Sequence, residues 1–452
     1  MMKKKNKVQL PLIFIGFLIL GVVIAYLLID ITKKQVEADF RHYQTHPVGE
    51  LEDDPKEWGY NHPLQYESYL KSKQQTPTLY GGSLAIEHNE KSDPRDYVSR
   101  SKIEMDPRLK VIWAGYSFAH DSREARGHAY MLVDQIHTER QKIASQPGAC
   151  LNCHVTTVVP MLKLGEGDLN TGFTKLNKMT YPEGLEHVNG PISCIDCHTP
   201  KTMQLRVTRP AFMKGIKKLK AQQGVHDYDV NRDASHKEMR SFVCAQCHVN
   251  YHFEPESKEL TFPWSEGIKA DEVLSYYEKN PHTDWIHAKT GAKMLKAQHP
   301  EFETWSQGPH AKAGVSCVDC HMPYERSGAQ KYTNHHIQSP LLNAEKSCTT
   351  CHSAKANEMV ELANEIQQSH HEMLDTAMQA LVELIHEIED KKEVLEPKTL
   401  SQIQKMHTQA QFLIDFVEAE NSTGFHAPQE SARILLKALN IIRKASAKVL
   451  KG

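Results

Sequence analysis

Cys150, Cys153 and His154 stand in the order Cys-Leu-Asn-Cys-His. Two thiols three apart, with a histidine directly after the second, form the attachment pattern of a c-type haem. The thiols add across the two vinyl groups and the imidazole reaches the iron. The pattern recurs at Cys194, Cys197 and His198, at Cys244, Cys247 and His248, at Cys317, Cys320 and His321, and at Cys348, Cys351 and His352. These five motifs use all 10 cysteines. With 10 Cys and 27 His in 452 residues, chance supplies about 0.01 such matches. Structural zinc is the competing use of a Cys-x-x-Cys pair, but zinc takes four ligands, so pairs combine evenly. Here there are five, each followed by His, and disulfides leave those histidines unexplained. The expectation is five covalently bound haems c.

Beyond the motif histidine, a haem iron has one further axial position. A second histidine there makes a low-spin electron carrier, whereas an open position binds and changes a ligand. Spacing alone does not sort which of the remaining histidines are ligands.

Four stretches narrow the question. They are Arg126-Gly127-His128-Ala129-Tyr130, the run from Cys244 through Cys247 and His248 to Asn250-Tyr251, the run Lys296-Ala297-Gln298-His299-Pro300-Glu301, and Gly424-Phe425-His426-Ala427-Pro428. With the order and spacing of the haem motifs, they resemble the ammonia-forming cytochrome c nitrite reductases, from about Asp106 to the C-terminus. The resemblance implies a mainly α, multihaem cytochrome c fold with little β structure. It also implies six-electron reduction of nitrite to ammonium. It assigns His128 as distal ligand to the third haem, His310 to the fifth, His335 to the second and His426 to the fourth, leaving the first haem open. Arg126, Tyr251 and His299 match the family's distal catalytic residues, and Asn250, Tyr251, Lys296 and Gln298 its calcium position. The implied electron donor is a membrane quinol-oxidising multihaem cytochrome or a soluble one, and the implied assembly is a homodimer.

Those residue types suit the chemistry. Arg126 is always charged and multiply donating, fit to hold an anion. His299 offers an imidazole, a side chain that can deliver protons, and Tyr251 adds a hydroxyl. Each has a plainer use: Arg126 against a haem propionate, His299 as an axial ligand, Tyr251 as packing. Two departures stand out. His154 occupies a place where most members of the family have lysine, and Asn250 stands where a calcium-binding Glu is expected, which removes charge from a site built on hard anionic oxygens. Two other functions remain open: a pentahaem electron carrier with every iron bis-histidine, or a related hydroxylamine or sulfite reductase.

What must position these groups is legible in part. Lys3, Lys4, Lys5 and Lys7 precede an apolar run over residues 8–29 that is long enough to span a bilayer. Residues 1–7 are read as cytoplasmic and the remainder as extracytoplasmic. No small-x-small cleavage site follows the run, which favours an anchor over a cleaved signal peptide. The composition, 40% hydrophobic and 8% aromatic, is polar for one large domain, and five apolar haem discs would make up the difference. No basic tract suggests nucleic acid. Residues 30–352 form the haem-bearing region and lack a sustained period. Residues 353–452 read as long helices: one from about Asn357 to Asp390, a second opened by Pro397 and a third by Pro428. Leu374, Ala377, Leu381, Leu384 and Ile388 make a three-four seam on the first of these. Because so long a helix outruns one domain, the seam is read as a shared dimer interface, with packing inside the chain as the alternative.

Overall fold

The computed structural model describes residues 6–39, 44–82, 84–89, 91 and 93–451. Lys3, Lys4 and Lys5 lie outside these. Helix makes up 55% of the chain and strand 6%, so the fold is mainly α. Among the described residues the strands form four two-stranded antiparallel pairs that share no sheet.

Helix α1 (Asn6–Asp39) contains the stretch Leu12–Lys33, apolar and long enough to cross a membrane, with none of it buried against the protein. The haem-motif region follows as short helices joined by loops. The longer ones are α2 (Leu169–Lys178), α3 (Pro210–Gln222), α4 (His236–Ala245) and α5 (Ala270–Lys279). Around them Phe212, Phe242, Phe262, Trp264 and Phe302 pack ring to ring. These rings anchor a core that also holds Leu151, in the first attachment turn, and Val155, directly after it.

Three long helices close the chain: α6 (Ala356–Lys391), α7 (Pro397–Glu418) and α8 (Pro428–Lys451). Pro397 and Pro428 sit in the first turns of α7 and α8, where a missing N–H costs no helical bond. Ala377, Leu381, Leu384 and Ile388 are fully buried in the core that α6 shares with α7 and α8. The seam expected to serve a dimer is thus filled within the chain. The physical reason is that α7 and α8 fold back along α6 and cover its apolar stripe.

Candidate active site

The first attachment segment is a single helical turn, Leu151–His154. It is held close to α2: a Cβ on Gly148 would stand 2.3 Å from the Leu176 carbonyl oxygen, so only glycine fits there. Nδ1 of His154 lies 3.0 Å from the Met131 carbonyl. A carbonyl only accepts, so Nδ1 carries the proton and Nε2 keeps its lone pair for a metal. The same device orients His198 on Met203 at 2.8 Å, His321 on Gln338 at 3.0 Å and His335 on Thr333 at 2.8 Å. For His426 the acceptor is Glu420 Oε1 at 2.7 Å.

Four of the motif histidines face a second imidazole from elsewhere in the chain. The ring centroids are 6.1 Å apart for His248 with His128, 6.2 Å for His198 with His335, 6.3 Å for His321 with His426, and 6.2 Å for His352 with His310. An imidazole nitrogen binds a first-row metal at about 2.0 Å, so two rings sharing one metal stand about 6 Å apart, centre to centre. The residues therefore fit an iron between each pair. Among the described residues no second imidazole faces His154 in this way. The thiols are also neighbours across motifs: Cys153 lies close to Cys247, and Cys244 to Cys317.

Two of the three expected catalytic side chains gather at the first segment. His299 lies close enough to His154 for their charges to interact; burial above all pushes the His154 imidazole down to about 4. Tyr251 is near Cys150 and Cys153, and burial first, then those thiols, raises its hydroxyl well above the usual range. Nδ1 of His299 is 3.8 Å from Glu301 Oε1, and the other oxygen of Glu301 is 3.8 Å from Nδ1 of His248. Burial works to raise the Glu301 carboxyl, but the two imidazoles outweigh it and hold it well below the carboxylate range.

Arg126 is buried and already partnered. Its Nη2 donates to Asp134 Oδ1 at 2.8 Å and its Nε to Oδ2 at 3.0 Å, while the guanidinium lies 4.0 Å from the Tyr130 ring centre. Arg95 binds the same carboxylate. Asp134 in turn is within charge range of His154, so Arg126 is tied to the first segment through it.

At the expected calcium position, Asn250 Oδ1 accepts the Gln298 N–H at 3.0 Å. Lys296 donates its N–H to Asp284 Oδ2 at 2.8 Å and sends its ammonium to the Ala297 carbonyl at 2.8 Å. The Asn250 N–H donates to Glu303 Oε1 at 3.0 Å, and burial pushes the Glu303 carboxyl up to about 8. Oxygen donors are what a hard cation takes, and Asp284 is the charged oxygen tied to this stretch, through the Lys296 N–H.

The sequence alone assigns no role to Asp134, Asp284, Glu301 or Glu303. The two glutamates lie in the His-Pro-Glu-x-Glu run and could have been noticed there. The aspartates carry no local signal.

The cytochrome c552 family model matches residues 54–452. Cytochrome c-552 of Bacteroides fragilis strain YCH46 is 33% identical over 447 residues, covering 96% of this chain and 84% of that one. The cytochrome c nitrite reductase subunit NrfA of Nitratidesulfovibrio vulgaris is 33% identical over 411 residues, covering 85% and 76%. The solved cytochrome c nitrite reductase of Desulfovibrio desulfuricans, described with two calcium sites in its catalytic subunit, superposes with a TM-score of 0.76 at 27% identity, covering 90% of this chain and 87% of that one. Matched along nearly its whole length in sequence and in fold, the chain belongs to the cytochrome c552 family and is a haem c protein of the cytochrome c nitrite reductase type.

Proposed function

We propose that this protein reduces nitrite by six electrons to ammonium at the haem held by Cys150, Cys153 and His154. The four imidazole pairs would hold the other four haems, which would supply electron transfer. The observation that carries this reading is the pairing of imidazoles: four motif histidines have a ring partner at 6.1 to 6.3 Å, and His154 has none among the described residues. When bound, the haems supply one-electron steps and an iron position open to nitrite. The close approach of Cys153 to Cys247 and of Cys244 to Cys317 supports transfer between neighbouring haems.

Arg126 binds the anion with the N–H donors that Asp134 leaves over, and Asp134 keeps the guanidinium in place. His299 delivers protons from Nε2, because Glu301 lies on its Nδ1 side. Tyr251 stays protonated and donates its hydroxyl to the substrate oxygen. Asn250, Gln298 and the carbonyls of Tyr251 and Lys296 hold one calcium ion weakly, near Asp284, and so brace the loops that carry Tyr251 and His299.

Leu12–Lys33 serves as an uncleaved anchor that leaves the haem region outside the cytoplasmic membrane, where a membrane-bound or soluble cytochrome delivers electrons. Two copies pair through a face other than the filled α6 seam. Mass spectrometry of the mature N-terminus tests the anchor, since a start near residue 30 overturns it.

For the reaction itself, the purified holoprotein is supplied with a reduced viologen and nitrite. Ammonium appearing mole for mole with nitrite consumed is the expected result. Nitrite loss without ammonium, or no turnover, overturns the reading.

A further inference from the structure

Arg209 lies outside every haem motif, just before α3, and is 1% exposed. Its Nε donates to the Asn152 carbonyl at 2.8 Å and its Nη2 to the Val155 carbonyl at 3.0 Å. The two bonds bracket His154. Nη1 donates to Asp196 Oδ1 at 2.6 Å, and the side chains of this ion pair are 2% and 0% exposed. The N–H groups of Thr208 and Arg209 donate to Gln246 Oε1 at 2.6 and 3.0 Å, and the Thr208 hydroxyl donates to the Asp196 carbonyl at 2.7 Å. Asn152, Asp196 and Gln246 share one place in their motifs: each directly precedes the second cysteine. One buried cation and its anion therefore join the first and second attachment segments, and the N–H groups of Thr208 and Arg209 tie the third to them.

We propose that Arg209 and Asp196 balance one another's charge beside the first three haems, so that losing either one alone shifts their reduction potentials, with Arg209 as a positioning residue for the His154 turn. The proposal rests on the haem assignments above. A unit charge in dry surroundings is felt strongly at neighbouring groups, and burial, charge and hydrogen bonding are the means by which a protein tunes a haem. While paired, the two charges largely cancel. Removing the cation favours the oxidised, more positive iron and lowers potentials, whereas removing the anion raises them. A joint that only holds segments together would move both variants in one direction, through looser packing, or move neither.

The test uses the full-chain holoprotein as Arg209→Gln, Asp196→Asn, Arg209→Lys and the double variant combining the first two. Haem per polypeptide is counted first, which separates failure of the haem assignments from failure of this proposal. Spectroelectrochemical titration then gives the potentials. Expected are lowered potentials in Arg209→Gln, raised potentials in Asp196→Asn, values near the parent in Arg209→Lys, and a return toward the parent in the double variant. Arg232→Gln, at an exposed ion pair with Asp233, should leave them unmoved. If Arg209→Gln does not mature, Asp196→Asn against Arg209→Lys decides. Shifts of the same sign in Arg209→Gln and Asp196→Asn, an unmoved or lowered Asp196→Asn, or loss of haem from every variant including Arg209→Lys overturns the proposal.

Discussion

His154 donates its Nδ1 proton to the carbonyl of Met131 at 3.0 Å. This bond ties the first haem-attachment turn to the segment that carries both Arg126 and His128. A shift of that segment would therefore disturb His154, the imidazole of His128 that faces His248, and the arginine proposed to bind the anion together.

Arg126 and His299 should separate from haem attachment. Alanine at either position should leave haem content unchanged while turnover collapses. Losing a charge-stabilising donor costs on the order of 10²–10³ in kcat, and losing a general acid about 10²–10⁴. Asp134→Asn should weaken nitrite binding more than it slows turnover, since the guanidinium keeps its charge but loses its brace. Steady-state kinetics on the haem-replete variants checks all three. Near-parental nitrite reduction by the Arg126→Ala or the His299→Ala enzyme would remove the substituted residue from the mechanism.

Calcium should be held weakly. Asn250 brings no charge, and its Oδ1 already accepts from Gln298, so a chelator should lower activity and added calcium restore it. Asn250→Glu should raise the affinity by adding an anionic oxygen. Isothermal titration of chelated protein measures both, and no calcium uptake by either form would show the site to be unused.

Much of this could be read from the chain because covalent haem attachment demands particular residues at fixed spacing. The imidazoles that face the motif histidines could be picked out only through resemblance, since nothing in the sequence near His335 or His310 sets it apart. The long helices were legible because Pro397, Pro428 and the Leu381, Leu384 and Ile388 spacing follow helical rules. The partner of that seam was not, since periodicity shows that a face is apolar without showing what covers it. Asp134 and Arg209 escaped for a related reason: both act through carbonyls or charges brought near only by folding.

Acid should weaken the C-terminal core. His407 is fully buried, with Nε2 3.0 Å from Gln411 Oε1 and Nδ1 3.1 Å from Thr290 Oγ1. Burial, helped by nearby His287, pushes it down to about 3, and burial pushes His287 down to about 4. In the unfolded chain each would protonate near about 6.5. The unfolded state thus binds more protons between those values. The stability these residues contribute is whole above about pH 6.5 and drains as pH falls toward 3, by up to about 1.4 kcal/mol per pH unit for each. Thermal unfolding at pH 7.5 and 5 should show a lower midpoint in acid, and a smaller drop in His407→Gln. Equal drops in parent and variant would acquit His407.

The last prediction separates an enzyme from a wire. Among the described residues four motif histidines each face a second imidazole and His154 does not, so a single haem should accept outside ligands. In the reduced holoprotein, carbon monoxide or cyanide should change the spectrum of one haem and leave the rest silent, and nitrite should compete for the same position. His335→Ala should open a second haem to carbon monoxide, because His198 loses the ring now 6.2 Å away, while Cys194 and Cys197 still hold that haem covalently. Haem content by mass would stay at the parental value in that variant. Should every haem instead be low-spin and refuse these ligands, some other side chain must cap the first iron. His299 would then be the candidate, its catalytic role would fall, and the protein would be an electron carrier.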